Sequence, residues 1–193
     1  TSCEILPPKV SGLLVPLREL IAALSIVEQV PQIELAVGEG NDGVVTVLVL
    51  RIMAALSRAD EVLLKAFADL HQIVWWLQSA GPDSAVPYYP ANQTLQYSLP
   101  EFGITMPFKP TDFTQVNHQI NRVLVTRALR LLDAQPDERI ADLFCGLGNF
   151  TLPIATQARA VVGIEGSTAL TQRTMDNARV NGLQDKTSFA CRN

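Results

Sequence analysis

A glycine-containing turn between an apolar run and an amphipathic segment limits most strongly what this chain can fold into. The run Ile140–Phe144 predicts a buried strand, and Gly146 and Gly148 let the backbone turn sharply behind it and approach a ligand closely. A helix is expected directly after the turn, with its unpaired amide groups facing the turn. A second apolar run, Val161–Ile164, ends at Glu165. This order predicts a parallel strand–helix–strand unit of the kind that binds nucleotides.

The residues around the turn indicate which nucleotide could bind. Glu165 follows Asp142 by 23 residues, close to the spacing of about 20 at which a carboxylate meets a ribose hydroxyl in dinucleotide folds. Thr151 stands where a third glycine would complete the phosphate-binding pattern, and the Lys-Ser/Thr pair of a P-loop is missing. Asp142 would repel a pyrophosphate but suits the sulfonium and ammonium groups of S-adenosylmethionine. The sequence therefore favours S-adenosylmethionine and methyl transfer, with an NAD-dependent oxidoreductase as the alternative.

Composition excludes several other classes of protein. The 193 residues are 48% hydrophobic and 18% charged, which is typical of a globular protein with a core. The net charge of −4 gives no overall basic field, and we expect Arg122, Arg127 and Arg130 to form a solvated helix face. No apolar run approaches the roughly 18 residues of a membrane span, and no signal segment precedes the first helix. Three cysteines do not make a disulfide framework. We expect a cytoplasmic protein without membrane contact, and nothing implies a protein partner.

Apolar periodicity and turn signals predict an α/β protein in two parts. The predicted strands of the first part are residues 32–38, 43–52, 73–77, 95–99 and 104–108. Its predicted helices are residues 11–24 and 57–71, the second capped by Ser57, and the Pro-rich residues 81–92 predict a loop. Residues 1–112 should thus form a small α+β central domain with an antiparallel sheet.

The second part, residues 113–193, should be an incomplete Rossmann-like methyltransferase domain. A long amphipathic helix over residues 116–131 leads into the glycine-turn strand, and Ser167 caps a helix that stops at Asn181-Gly182. Residues 187–191 predict a third parallel strand. Because a doubly wound sheet usually has more strands, we expect this chain to be an internal fragment.

Two motifs in the second part resemble those of a known family. The segments Phe113-Thr-Gln-Val-Asn117 and Asp142-Leu-Phe-Cys-Gly-Leu-Gly-Asn-Phe-Thr-Leu-Pro153 resemble the RNA (uracil-5-)-methyltransferases, most of all the members that act on bacterial 23S ribosomal RNA. The resemblance extends from Cys3 to Asn193. It implies methylation of uridine C5 in 23S ribosomal RNA, with S-adenosylmethionine as the methyl donor and that RNA as the partner.

The resemblance also implies which residues contact the cofactor. They are Gln115, Phe144, Gly146, Asn149, Glu165 and Asn193. Gln115 can donate and accept at the amino-acid end of the cofactor, and Glu165 can accept from its ribose. Asn149 is expected in the first turn of the helix, where simple capping is the ordinary explanation for such a residue.

Cysteine chemistry in the family points to residues that this chain lacks. Cys3 resembles the last of four cysteines that hold a [4Fe-4S] cluster in this family. Because one thiolate cannot hold such a cluster, we expect Cys3 to bind metal only in the longer parent protein. The resemblance places the nucleophilic cysteine and the glutamate base after Asn193. Cys145, in the turn, and Cys191, in a predicted buried strand, receive no catalytic role. This chain alone should then be inactive, and a non-catalytic RNA-binding module is a further alternative.

Overall fold

The computed structural model describes residues 3–4, 6–40 and 43–192, and the chain divides into two compact units, Thr1–Thr94 and Leu95–Asn193. Residues 41–42 and the predicted cofactor contact Asn193 lie outside the described residues. The division between the units falls before the predicted strands at residues 95–99 and 104–108, whereas the expected domain boundary follows them at residue 112. That boundary stays a prediction.

The first unit contains a sheet with the strand order β4-β3-β2-β1 and three helices within its described residues. The strands are β1 Gln32–Gly40, β2 Gly43–Arg51, β3 Val74–Gln78 and β4 Val86–Tyr89. The helices are α1 Pro8–Ser11, α2 Leu14–Ala23 and α3 Arg58–His71. The two strands predicted at residues 32–38 and 43–52 are confirmed as β1 and β2, which pair antiparallel with Gln32 opposite Arg51 and Gly40 opposite Gly43.

Two details of the first unit differ from the sequence-based expectation. The sheet is mixed rather than antiparallel, because α3 crosses between β2 and β3 and these two strands are therefore parallel. Residues 81–92, predicted as a loop, include β4, which pairs antiparallel with β3. Pro87 and Pro90 made this segment resemble a loop in the sequence. Proline occurs in sheets mainly on edge strands, and β4 is an edge strand.

A capping box and a buried tryptophan fix α3 against the sheet. Ser57 caps the helix as predicted, since its hydroxyl accepts from Asp60 N and the Asp60 carboxylate accepts from Ser57 N. Asp60 also accepts from the backbone N–H and the hydroxyl of Ser25, at 2.7 and 2.6 Å. On the sheet, Trp75 is fully buried, and its indole N–H donates to Leu64 O at 2.9 Å.

The second unit contains a hairpin, a three-stranded sheet and three helices within its described residues. The strands are β5 Gln96–Leu99, β6 Ile104–Pro107, β7 Arg139–Leu143, β8 Ala160–Glu165 and β9 Thr187–Cys191. The helices are α4 His118–Leu132, α5 Thr151–Gln157 and α6 Thr168–Val180. The strands β7, β8 and β9 are parallel and neighbours in that order, which confirms the predicted strand–helix–strand unit. The expectation that β7 is buried is wrong, since Arg139, Ala141 and Leu143 are exposed.

Helices α5 and α6 pack on one face of this parallel sheet. Burial alternates along β8, where Val161 is buried and Val162 is exposed. Helix α6 begins at the predicted cap, with Leu170 N donating to Ser167 Oγ, and it ends before Gly182, whose φ of 67° suits glycine. The carboxyl ends of β7 and β8, and with them Asp142 and Glu165, therefore lie at one edge of the sheet.

Helix α4 is held by an arginine that we expected in solvent. The Arg122 Nε donates to Ser98 O at 2.9 Å, which connects α4 to β5, so the expectation of a purely solvated arginine face is wrong at this position. Arg127 and Arg130 are exposed, as expected. Within the described residues, no helix is long and apolar enough to cross a membrane.

Candidate functional site

The turn after β7 depends on three residues with positive φ angles. Gly146 and Gly148 have φ of 55° and 93°, and Phe144 has φ of 60°. A Cβ atom on Gly148 would lie 3.0 Å from Thr174 Cγ2, so glycine is required there for space as well as for conformation. Phe144 is a non-glycine residue in the left-handed region, and its ring is 89% exposed. The turn thus presents an aromatic ring at the sheet edge at a cost in backbone strain.

The buried face of α6 holds the carbonyl groups of this turn. The Thr174 hydroxyl donates to Gly146 O, and Asn177 Nδ2 donates to Leu147 O at 3.2 Å. Both side chains are almost fully buried, with Thr174 at 0% and Asn177 at 2% exposure. We did not predict either residue from the sequence. The signal that could have identified them is their polar side chains at helical spacing, among the apolar positions of the inward face.

Glu165 joins the turn to the start of α6. Its Oε2 accepts from Gly146 N at 3.1 Å, and its Oε1 accepts from Ser167 N at 3.0 Å. These contacts fix the carboxylate and leave each oxygen one further lone pair for a hydroxyl donor. The structure therefore brings together Glu165 and Gly146, two of the residues expected to contact a cofactor. The contact with the cofactor itself stays a prediction.

Thr151 has a role that explains why no third glycine is present. Its hydroxyl donates to Asp142 Oδ2 at 2.6 Å, and the threonine side chain is fully buried. Burial raises the pKa of Asp142, and the hydrogen bond from Thr151 partly opposes that rise. The pair places a fixed carboxylate beneath the turn, which favours a cationic ligand over a pyrophosphate.

Asn149 does not lie in the first helical turn as expected. Helix α5 begins at Thr151, and no side chain caps it. The Asn149 amide instead pairs with the amide of Asn121 on α4 and accepts from the hydroxyl of Tyr97 on β5. Local sequence could not show this arrangement, because Asn149 is 28 and 52 residues away from these two partners.

Gln115 lies in the exposed, irregular segment that precedes α4. The start of this segment is anchored by Asp112, whose carboxylate accepts from Lys109 N at 2.7 Å. Arg173 Nε of α6 lies 3.0 Å from the same carboxylate, and the Asp112 side chain is only 4% exposed. The anchor ties the Gln115 segment to α6, whereas Gln115 itself is free to meet a ligand from solvent.

The cysteines differ in accessibility. Cys145 is buried in the turn, and burial, followed by the charges of Asp142 and Glu165, raises the pKa of its thiol to about 11. Cys191 is exposed, so the expectation that it lies in a buried strand is wrong: it is the last residue of β9, where the sheet ends. Cys3 is a half-buried free thiol. Among the described residues, no three His, Cys, Asp or Glu side chains are grouped to hold a metal ion.

Comparison with known proteins gives one family. The model of the tRNA (uracil-5-)-methyltransferase family matches residues 95–188. All 193 residues align at 67% identity with the 23S rRNA (uracil(1939)-C(5))-methyltransferase RlmD of Ralstonia pickettii and at 66% with that of Cupriavidus pinatubonensis. The Burkholderia pseudomallei protein of the same name is 63% identical. The chain spans 42%, 41% and 41% of the lengths of these relatives.

A solved structure shares the fold at low sequence identity. The Pyrococcus abyssi tRNA (uracil-54, C5)-methyltransferase, crystallised with S-adenosyl-L-homocysteine, aligns with 98% of this chain and 48% of its own length. The TM-score is 0.65 and the sequence identity is 13%. At that identity the match concerns the fold alone.

Proposed function

We propose that this chain, which belongs to the RNA (uracil-5-)-methyltransferase family, is the cofactor-binding part of an enzyme that methylates C5 of uridine in 23S ribosomal RNA. The observation that carries the proposal is the identity of 63–67% along the whole chain to relatives named for that reaction. Within the enzyme, we assign residues 1–112 to a central domain and residues 113–193 to the first part of the methyltransferase domain.

The site fits S-adenosylmethionine in charge and in hydrogen-bonding groups. When bound, this cofactor supplies an electrophilic methyl group on a sulfonium. Glu165 has lone pairs left for ribose hydroxyls after accepting from Gly146 and Ser167. Asp142, held by Thr151, adds negative charge under the turn and stabilises the cationic groups of the ligand.

The remaining predicted contacts complete the proposed site. The exposed ring of Phe144 can pack along the ligand. We assign amide contacts at the amino-acid end of the cofactor to Gln115 and Asn149, and a contact with the base to Asn193. Gln115 lies in the segment before α4, whereas Phe144 and Asn149 belong to the glycine turn, so the proposed contacts come from different segments of the second unit.

Methylation at C5 needs groups beyond the cofactor site. A nucleophile must add to C6 of uracil so that C5 becomes electron-rich enough to take the methyl group; a base then removes the C5 proton and the nucleophile leaves. Cys145 does not suit the first task, because its thiol is buried and its pKa is raised to about 11. Following the resemblance to the RNA (uracil-5-)-methyltransferases, we assign the nucleophile and the base to the part of the enzyme outside these residues.

An iron–sulfur cluster does not fit this chain's own residues. A [4Fe-4S] cluster takes four cysteine ligands, and among the described residues no three His, Cys, Asp or Glu side chains are grouped to hold a metal ion. No step of the proposed reaction passes through a cluster.

The test is transfer of labelled methyl groups by the natural full-length protein. The substrates are 23S ribosomal RNA from cells that lack the gene and, in parallel, bulk transfer RNA. We expect 5-methyluridine in the digested ribosomal RNA only, with S-adenosylmethionine as donor. Label in transfer RNA alone would refute the substrate, and absence of label in both, together with NAD-dependent redox activity, would refute the reaction.

A further inference from the structure

The amide of Asn149 is held by two residues that have no assigned function. Asn121 Nδ2 donates to Asn149 Oδ1 at 2.9 Å, and Asn149 Nδ2 donates back to Asn121 Oδ1 at 2.9 Å. The hydroxyl of Tyr97 donates to the same Asn149 Oδ1 at 2.9 Å. These three side chains come from β5, α4 and the glycine turn, so one hydrogen-bonded cluster connects three elements of the second unit.

The hydrogen-bonding capacity of Asn149 is almost used up by this cluster. A side-chain amide has two lone pairs on its oxygen and two hydrogens on its nitrogen. Both lone pairs of Asn149 Oδ1 are taken, by Asn121 and by Tyr97, and one Nδ2 hydrogen is donated to Asn121. The group that remains is a single N–H bond. Asn149 can therefore donate to a ligand but not accept from it.

The partners of Asn149 are rigid and keep their protonation state. Asn121 is 2% exposed and Tyr97 is 3% exposed, so neither exchanges these bonds for water at low cost. The Tyr97 ring packs against Phe108 and His118, with centroid distances of 5.9 and 5.4 Å. Burial raises the pKa of Tyr97, so its hydroxyl stays a donor at every working pH.

From this geometry we infer that Asn121 and Tyr97 are positioning residues, which hold Asn149 so that its one remaining N–H bond meets an acceptor on the cofactor. The inference rests on the proposed function, because it assumes an adenosyl cofactor at the glycine turn. The acceptor that fits is the carboxylate at the amino-acid end, since a charged acceptor gains most from a fixed donor. Neither positioning residue touches the ligand itself.

The test measures S-adenosylhomocysteine binding by calorimetry in the natural full-length protein and three variants. Asn121→Ala removes the two bonds of the reciprocal amide pair, and we expect a dissociation constant about thirtyfold larger, at about 1 kcal/mol for each lost bond. Tyr97→Phe removes one hydroxyl and keeps the ring, and we expect a dissociation constant about fivefold larger. Asn181→Ala is the matched control, because Asn181 makes reciprocal bonds to the Thr105 backbone at 2.7 and 2.8 Å, away from the turn.

A second measurement separates positioning from stability. Hydrogen exchange of the backbone amides at residues 146–149 should become faster in Asn121→Ala and stay unchanged in Asn181→Ala, although both variants melt at a lower temperature. If Asn121→Ala and Tyr97→Phe bind S-adenosylhomocysteine as tightly as the unmodified protein, the inference is refuted and the cluster is merely structural. If the unmodified protein does not bind at all, the proposed function fails. In that case unchanged exchange in Asn121→Ala would also refute the positioning of the turn.

Discussion

Removing the hydroxyl of Thr151 should destabilise the protein by withdrawing the donor from a half-buried carboxylate. Thr151→Val keeps the shape of the side chain and deletes the 2.6 Å bond to Asp142. A hydrogen bond to a charged group contributes about 1.5–3 kcal/mol. Because Asp142 is half-buried and water can replace part of the bond, we expect a loss of about 1.5–2 kcal/mol at pH 7.

The loss should depend on pH in a defined direction. Burial already raises the pKa of Asp142 above its value in the unfolded chain, and removal of the donor raises it further. A raised carboxyl pKa means that the folded state binds the proton more tightly than the unfolded state does. The loss of stability in Thr151→Val is therefore present at neutral pH, where Asp142 is charged, and disappears as the pH falls through the pKa of Asp142 in the folded state. The difference between the two proteins should therefore shrink from pH 7 towards pH 4.

Urea unfolding at pH 7 and at pH 4 measures both expectations. The matched control is Thr156→Val in the same helix, where the exposed hydroxyl donates to the neutral Pro153 O at 2.7 Å. This control should lose less than about 1 kcal/mol, with the same loss at both pH values. A loss for Thr151→Val that is no larger than the control, or that does not change with pH, would refute the role assigned to the pair.

Three further predictions concern stability and thiol chemistry. Asp60→Asn should lower the free energy of unfolding by about 2 kcal/mol in urea titrations. The reason is that the Asp60 carboxylate accepts from the backbone N–H and the hydroxyl of both Ser25 and Ser57. Because these bonds lower the pKa of Asp60, the effect of the substitution should fade below about pH 4. Gly163→Ala should lower the free energy of unfolding by about 1–3 kcal/mol, since the new Cβ would lie 2.7 Å from the Phe189 ring. Gly81→Ala is the control and should change it little, because no atom lies within 4 Å of its Cβ position. Equal losses in the two variants would contradict the packing argument. At pH 8, mass spectrometry after iodoacetamide treatment should find Cys191 alkylated and Cys145 intact, and rapid modification of Cys145 would contradict its burial and raised pKa.

Local signals in the sequence were sufficient for the elements that carry the site. The glycine turn, the Ser57 cap and the strand ending at Glu165 each depend on residues close together in the chain, so their patterns predict the structure directly. The strand β4 was missed because its stability comes from pairing with β3, while Pro87 within it and Pro90 after it are typical of a loop. The direction of β3 relative to β2 likewise depends on where α3 packs, which no local pattern specifies.

The contacts that fix the site could not be predicted from the sequence for the same reason. Thr174 reaches the Gly146 carbonyl across 28 residues of chain, and Asn121 reaches Asn149 across the same separation. Threonine and asparagine are common on helix surfaces, and only the packing of α4 and α6 shows that these are buried. The sequence therefore predicts which residues line the turn but not which residues hold it in place.

The central claim is that the glycine turn and Glu165 form the site of an adenosyl cofactor. Its most direct test is calorimetric titration of the natural full-length protein with S-adenosylhomocysteine, with NAD as the parallel titrant and Glu165→Ala as the variant. We expect binding of S-adenosylhomocysteine to the unmodified protein, no binding of NAD, and loss of S-adenosylhomocysteine binding in the variant while its fold, followed by circular dichroism, is retained. Binding of NAD alone, or undiminished binding of S-adenosylhomocysteine by Glu165→Ala, would contradict it.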